Sequence, residues 1–306
     1  MGSVVVLGVF VADTSYRASR PPRMGETIMG ESFALGPGGK GSNQAVAAAR
    51  AGAKTHMITR LGRDPFADMA LACWKDAGVI PAITQHDDSY TGAAYIFVEA
   101  STGDNAIIVC PGVAGTISDA DIEARAALIS AASVFVTQLE QPLAAAMRAL
   151  QIARAAGVRT VLNPAPAAPL PDGMLGLCDF VTPNETEAEA LTGVKVTSVE
   201  DAITAAKALR LMGAGAAIIT LGDKGALYHD GDQTRHVPAV AAGPVVETTG
   251  AGDAFNGGFA AALARGDDPL SATRFGCATA GISVTRAGTA PSMPSLAEIT
   301  AVLGNS

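Results

Sequence analysis

The segment Glu247-Thr248-Thr249-Gly250-Ala251-Gly252-Asp253 sets a carboxylate beside three residues that leave the backbone nearly bare. Phe255, Phe259 and Leu263 follow at i, i+4 and i+8, a helical period that runs out at Gly266. The glycines therefore open a helix, and a helix N-terminus offers unsatisfied N–H donors and the positive end of a dipole to an anion. The charge growing on a transferring phosphoryl group is such an anion. Asp253, in the first turn, is placed to take a proton from an attacking hydroxyl. A helix cap with a tight turn would use the same residues, so the choice falls to the rest of the chain.

Gly36-Pro37-Gly38-Gly39-Lys40-Gly41 has the Gly-x-Gly-x-x-Gly form. It does not directly follow the first strand, and Pro37 lacks the N–H that a pyrophosphate would need, so it is a poor dinucleotide loop. It is no P-loop either, because Gly41 rather than Ser or Thr follows Lys40. Its bare backbone and Asn43 suit close approach to a polyhydroxylated ligand, with Lys40 near developing charge; the alternative is a strand-to-helix turn with a solvated lysine. Asn184 and Glu187 make a capping-box pattern, and a carboxylate there also suits Mg²⁺ held through water, the ion a nucleotide brings. Glu140 either accepts a substrate hydroxyl or orders its loop. Thr220, Gly222, Asp223 and Gly225 form a strand end and glycine turn that could wrap a nucleotide. The four histidines, His56, His86, His229 and His236, have no ligand spacing.

What must position these residues is a sheet. Residues 4–11, 134–139, 160–163, 180–182 and 216–221 are short apolar runs separated by helical segments, and the later ones end at Glu140, Asn163, Asn184 and Gly222 with Asp223. This alternation predicts an α/β fold, a doubly wound, mostly parallel sheet flanked by helices, with ligands at the carboxyl ends of the strands. Residues 91–99 and 105–110 read as a hairpin around Ser101-Thr102-Gly103-Asp104. Together with a segment near 27–35, they predict a small β-sheet lid built from about residues 14–35 and 91–111. The whole, residues 1–306, reads as a single domain.

Composition narrows the partner. The 306 residues carry a net charge of −8, with Lys and Arg scattered rather than blocked, which argues against nucleic acid and anionic membrane. A small-molecule ligand remains. Cys73, Cys110, Cys178 and Cys277 lie far apart, unlike a zinc site or a disulfide framework. No apolar run reaches the ~18 residues that span a bilayer, and the N-terminus has no basic region before its apolar run; a cytoplasmic location is expected.

Several segments, in order, resemble the PfkB-type carbohydrate kinases: residues 38–49, Gln138-Leu139-Glu140, Asn163-Pro164-Ala165-Pro166-Ala167, residues 182–189, Ile219-Thr220-Leu221-Gly222, and Gly250-Ala251-Gly252-Asp253. The resemblance covers nearly the whole chain, to about Pro294. It implies that Asp253 is the catalytic base, that residues 250–252 form an anion hole, and that Asp13, Gly39, Lys40, Asn43 and Glu140 line the sugar site. Asn184, with Thr220, Gly222, Asp223 and Gly225, would contact ATP, Cys277 would stand near the adenine, and Glu187 would organise Mg²⁺. An activating monovalent cation, usually K⁺, would sit by Glu247, Thr249, Ser283, Arg286, Gly288 and Ser292, some through backbone carbonyls.

The reaction implied is transfer of the γ-phosphoryl of ATP to the 5-hydroxyl of ribose. Related acceptors are deoxyribose, fructose, ketodeoxygluconate and adenosine, and a non-catalytic sugar sensor or a periplasmic binding protein would be the non-enzyme readings. Three positions depart from the pattern. Glu247 stands where Asp is usual, Val11 where an Asn is common before the substrate aspartate, and Cys277 where a His often lies. An exposed lid edge would also favour a homodimer.

Overall fold

The computed structural model describes residues 2–304, and among them the main sheet has nine strands. Their order is Thr234–Val237, Ala226–His229, Ala216–Thr220, Phe180–Val181, Arg159–Leu162, Val134–Thr137, Ser3–Leu7, Lys54–Ile58 and Ile80–Pro81. Ala226–His229 pairs antiparallel with both of its neighbours, Thr234–Val237 and Ala216–Thr220, and the remaining neighbours pair parallel. A parallel sheet covered on both faces explains why these strands read as unbroken apolar runs. Side chains alternate between two cores. Val4, Val6, Val134 and Val136 pack with Phe255 and Phe259 on one face, whereas Val5, Leu7, Phe135 and Leu162 pack with Leu150 and Leu209 on the other.

A separate four-stranded sheet runs in the order Ser32–Gly38, Val11–Ala18, Thr91–Glu99 and Asn105–Gly112. Its hairpin turns at Gly103, with φ of 79°, and the Thr91–Glu99 strand lies parallel to Val11–Ala18. Residues 4–11 are not a single strand: the chain leaves the main sheet after Leu7 and enters the small sheet at Val11, so Asp13 stands on the small sheet. The break is hidden from hydropathy because Val9 and Phe10, which span it, are themselves wholly buried. A two-stranded sheet of Arg60–Gly62 and Thr84–His86 was also not anticipated, since strands this short carry no periodicity.

Two helices carry the site. The first, Lys40–Arg50, starts directly after the glycine turn, because Gly36 and Gly38 belong to the preceding strand and Gly39 alone makes the turn at φ 87°. The second, Ala251–Arg265, opens at Gly250 in the left-handed region and closes at Gly266, as its apolar period predicts. They lie very close: a Cβ at Gly257 would come within 2.4 Å of Ala47 Cβ and 2.6 Å of the Gln44 carbonyl. Only glycine permits that approach. No helix among the described residues is long and apolar enough to cross a membrane.

Candidate active site

The carboxyl ends of the parallel strands and the N-termini of the two helices meet around a cavity of about 160 Å³, whose lining includes Lys40, Asn184, Glu187, Thr220, Gly250, Gly252 and Asp253. Asp253 is buried in the first turn of its helix. Its Oδ2 accepts from Asn43 Nδ2 and its Oδ1 from Gln44 Nε2, each at 3.0 Å. The helix start behaves as its backbone dictates. The Ala251 N–H turns back to the Thr248 carbonyl at 3.1 Å, and the first bond into the helix is Ala254 N–H to Gly250 O at 2.8 Å. The N–H groups of Gly252 and Asp253, between these two, are the better candidates for an anion than that of Ala251.

Asp13 reaches the same region from the small sheet. Its carboxylate lies over Gly38, where a Cβ would stand 2.1 Å from Oδ2, so that glycine is required by the carboxylate above it. Glu140 is fixed by the backbone N–H of Lys40, which donates to Oε2 at 2.8 Å. Gly39, at the turn, would drive a Cβ into the backbone of residues 9–11. These groups form one electrostatic cluster. Burial pushes Glu140 up to about 7 against the pull of Lys40, and burial together with Asp253 pushes Asp13 up to about 6. Burial also raises Asp253, opposed by Lys40 and by the amides of Gln44 and Asn43. For Lys40 burial works to lower the pKa, but Asp253, Glu140, Glu187 and Asp13 outweigh it and the ammonium is held above its ordinary value. One cation thus faces four carboxylates. The buried Oδ1 of Asn43 has no hydrogen-bond partner among the described residues, an acceptor that a hydroxyl-bearing ligand would satisfy.

On the other side, Asn184 caps the helix Glu185–Thr192: its Oδ1 accepts from the Glu187 N–H at 2.8 Å, while Glu187 Oε2 accepts from the Asn184 N–H at 2.9 Å. The capping box is therefore real, and it occupies only one oxygen of Glu187. Asn184 also bridges to Thr220 at the next strand end. Gly222, Asp223 and Gly225 form the following turn but do not line the cavity. Gly225 has a structural reason of its own, since a Cβ would meet the Val237 carbonyl at 2.1 Å. Cys277 is buried in the helix Pro269–Ser283 against the apolar core, and burial lifts its thiol to about 12.

The residues expected around a monovalent cation divide. Glu247 Oε2 accepts from the Gly288 N–H at 2.8 Å, which brings those two segments together. The hydroxyls of Ser283 and Ser292 turn to the carbonyls of Ala280 and Thr289, and Arg286 pairs with Glu298. The Ser283 carbonyl already accepts from the Arg286 N–H at 3.1 Å, and Thr249 is exposed. Among the described residues no three His, Cys, Asp or Glu side chains gather as a metal-binding set.

Residue-by-residue reading overlooked Gln44, Gln138, Thr182 and Asn256. Gln44 donates to Asn163 Oδ1 at 3.0 Å as well as to Asp253, and accepts from Gln138 Nε2 at 2.6 Å. Asn163 donates to the Thr182 carbonyl at 3.0 Å. The Thr182 hydroxyl donates to Asn256 Oδ1 at 2.6 Å, and Asn256 Nδ2 to the Gly252 carbonyl at 2.9 Å. Their one sequence signal is polarity within, or just after, otherwise apolar elements.

Comparison with known proteins agrees with this geometry. Residues 1–296 match the pfkB family carbohydrate kinases. The chain is 40% identical over 304 residues to a ribokinase of Staphylococcus aureus, covering 98% of this chain and 99% of that one. To a deoxyribokinase of Salmonella typhi it is 37% identical over 295 residues, covering 96% of each. A solved structure of Arabidopsis thaliana ribokinase complexed with ribose and ATP superposes with a TM-score of 0.93 at 30% identity, covering 100% of this chain and 99% of that one. A buried aspartate at a glycine-opened helix, among segments matched along almost the full length, places the chain in the PfkB family of carbohydrate kinases.

Proposed function

We propose that the chain transfers the γ-phosphoryl group of ATP to the 5-hydroxyl of D-ribose. The observation that carries this reading is Asp253, a buried carboxylate at a helix N-terminus, held by two amides and facing Lys40. The sugar lies between Asp13, the Gly39 backbone, Asn43 and Glu140. ATP extends over Asn184 and Thr220 toward the turn of Gly222, Asp223 and Gly225, with Cys277 on the adenine side.

As O5 attacks the γ-phosphorus, Asp253 accepts the hydroxyl proton and the bond to the ADP oxygen breaks. The backbone N–H groups left free at the helix start, those of Gly252 and Asp253 first, and the Lys40 ammonium meet the charge on the moving phosphoryl. Glu187 suits Mg²⁺, because its second oxygen is left to accept from a metal-bound water, and the ion supplies further neutralisation of phosphate charge. Glu247 and the carbonyls of Thr249, Ser283, Arg286, Gly288 and Ser292 would hold K⁺ beside the anion hole. The small sheet acts as a lid that keeps water from the phosphoryl group.

The same sheet is the proposed dimer surface. Tyr16, Phe33, Leu35, Tyr95 and Ile108 share, by strand register, the face opposite Asp13, and all are exposed. The three rings cluster, with Tyr16 5.1 Å from Phe33 and 5.5 Å from Tyr95 between centroids. An apolar face of this kind suits a second copy of the chain. A cytoplasmic location fits a user of ATP.

Two measurements test the enzyme reading. Phosphorylation of ribose, deoxyribose, fructose, ketodeoxygluconate and adenosine identifies the acceptor, and binding with no turnover on any of them would favour the sugar sensor. Asp253→Asn is expected to leave binding of ribose and ATP within a few-fold while kcat falls by ~10² or more. Near wild-type turnover would sink the assignment. Deoxyribose is the second reading, favoured by the apolar Val11 two residues before Asp13.

A further inference from the structure

Gln44 is fully buried and does not line the cavity, yet it is bonded directly to Asp253. Its orientation can be worked out from acceptors that have no choice. The Thr182 carbonyl can only accept, so Asn163 must turn its amide nitrogen toward it and its oxygen toward Gln44. Gln44 must then present Nε2 to Asn163 and, from the same nitrogen, to Asp253, which leaves Oε1 for Gln138 Nε2. The Gly252 carbonyl sets Asn256 by the same logic, and the Thr182 hydroxyl then donates to Asn256 Oδ1. Two backbone carbonyls thus lock the polarity of the network that ends on Asp253, whose backbone neighbour is Gly252.

The geometry points to Gln44 as a positioning residue: a donor held in one orientation by Asn163 and Gln138 that keeps the Asp253 carboxylate ionised and aims it. This deepens the proposed function and rests on Asp253 being the base. The need for such a donor is electrostatic. Asp253 is buried and surrounded by Asp13, Glu140 and Glu187, with Lys40 as the one facing cation, so burial works against its charged form and charge-assisted hydrogen bonds work for it. Asn43 supplies one such bond but lies beside the sugar. Gln44 supplies the other from the protein side and remains in place whether or not ligand is bound. The Gly257 contact described above is what allows the Gln44 turn to reach Asp253.

The test is the pH dependence of kcat in Gln44→Met. Loss of a hydrogen bond to a charged group is expected to move the acidic limb of the profile upward by about one pH unit. On the acidic side of the limb kcat falls ~10-fold, most of the loss is recovered at high pH, and KM for ribose and ATP changes less than ~3-fold. Gln138→Met, which removes only the donor that holds Gln44, should shift the limb in the same direction by less, and serves if the first variant does not fold. An acidic limb unmoved in the folded variants, or a loss of kcat equal at every pH, overturns the inference. Asp253→Asn separates this from the underlying reading: if that variant turns over normally the base assignment fails. If it is inactive at all pH while the Gln44 and Gln138 variants keep the parent profile, only the role of Gln44 fails.

Discussion

Glu140 Oε2 accepts the backbone N–H of Lys40 at 2.8 Å, so a strand end of the main sheet is tied to the first residue of the helix that carries Asn43 and Gln44. The bond fixes where the Lys40 side chain begins, and that side chain carries the one positive charge set against Asp13, Glu140, Glu187 and Asp253. Lys40→Met should therefore do two things at once. It removes a donor to the transferring phosphoryl, costing on the order of 10² in kcat, and it moves the acidic limb of the rate profile to higher pH, because each carboxylate loses its counter-charge. Lys40→Arg keeps the charge and should keep the limb in place. A methionine variant with the parent profile would show that Lys40 is remote from the reaction.

The carboxylate cluster makes the ligand-free protein less stable as pH rises. Asp13 is raised from 3.8 to about 6 and Glu140 from 4.5 to about 7, chiefly by burial. Between each pair of values the folded state binds more protons than the unfolded one, so stability falls as pH climbs through that window. Asp13→Asn is isosteric and has no charge to bury. It should stabilise the sugar-free protein at pH 8 by roughly 1–3 kcal/mol, with the gain shrinking toward pH 4, and it should cost sugar affinity. Urea unfolding of both proteins at pH 8 and pH 5 measures it; equal midpoints at pH 8 would mean that Asp13 is well solvated.

How much of this was legible depended on whether the information is local. Asp253 and its glycines stand in one stretch of chain whose helical period is visible, and Asn184 with Glu187 is a pattern spanning four residues, so both could be read directly. Gln44 could not: in an alanine-rich helix it looks like a solvent-facing residue. Its burial is created by Gly257 on a helix more than two hundred positions away. The turn at residues 8–10 was hidden for the opposite reason, because a hinge that is itself buried keeps its apolar residues. Gly225 was readable as a turn but not as one imposed by the Val237 carbonyl.

Glu247 bonds the Gly288 N–H at 2.8 Å, so its carboxylate both ties two segments and brings negative charge to them. If K⁺ is held there, Glu247→Gln keeps the shape but weakens the attraction. The concentration of K⁺ for half-maximal activity should then rise ~10-fold, on the scale of one charge interaction near a surface, with kcat at saturating K⁺ little changed. Titrating KCl into an otherwise sodium- and potassium-free buffer measures this. Identical titrations for parent and variant would place the cation elsewhere.

Val11 is 3% exposed, stands opposite Gly38 on the neighbouring strand, and precedes Asp13 by two residues, which puts both side chains on one face of the small sheet. An isopropyl group there offers a sugar hydroxyl no partner, but an apolar wall does little to reject a hydroxyl that merely fits beside it. Discrimination of that kind is worth about 10² at most, whereas a site that hydrogen-bonds the hydroxyl rejects the deoxy analogue far more strongly, because its own polar group would be left unpaired. The ratio of kcat/KM for ribose to that for 2-deoxyribose should therefore lie within ~10² of unity in either direction. Val11→Asn, which restores an amide on the Asp13 face, should shift that ratio toward ribose by ~10-fold or more, the scale of one hydrogen bond. The comparison is internal to each protein, so a general loss of activity cancels. A ratio that does not move would remove Val11 from the sugar site and leave the choice of acceptor to Asp13, Asn43 and Glu140.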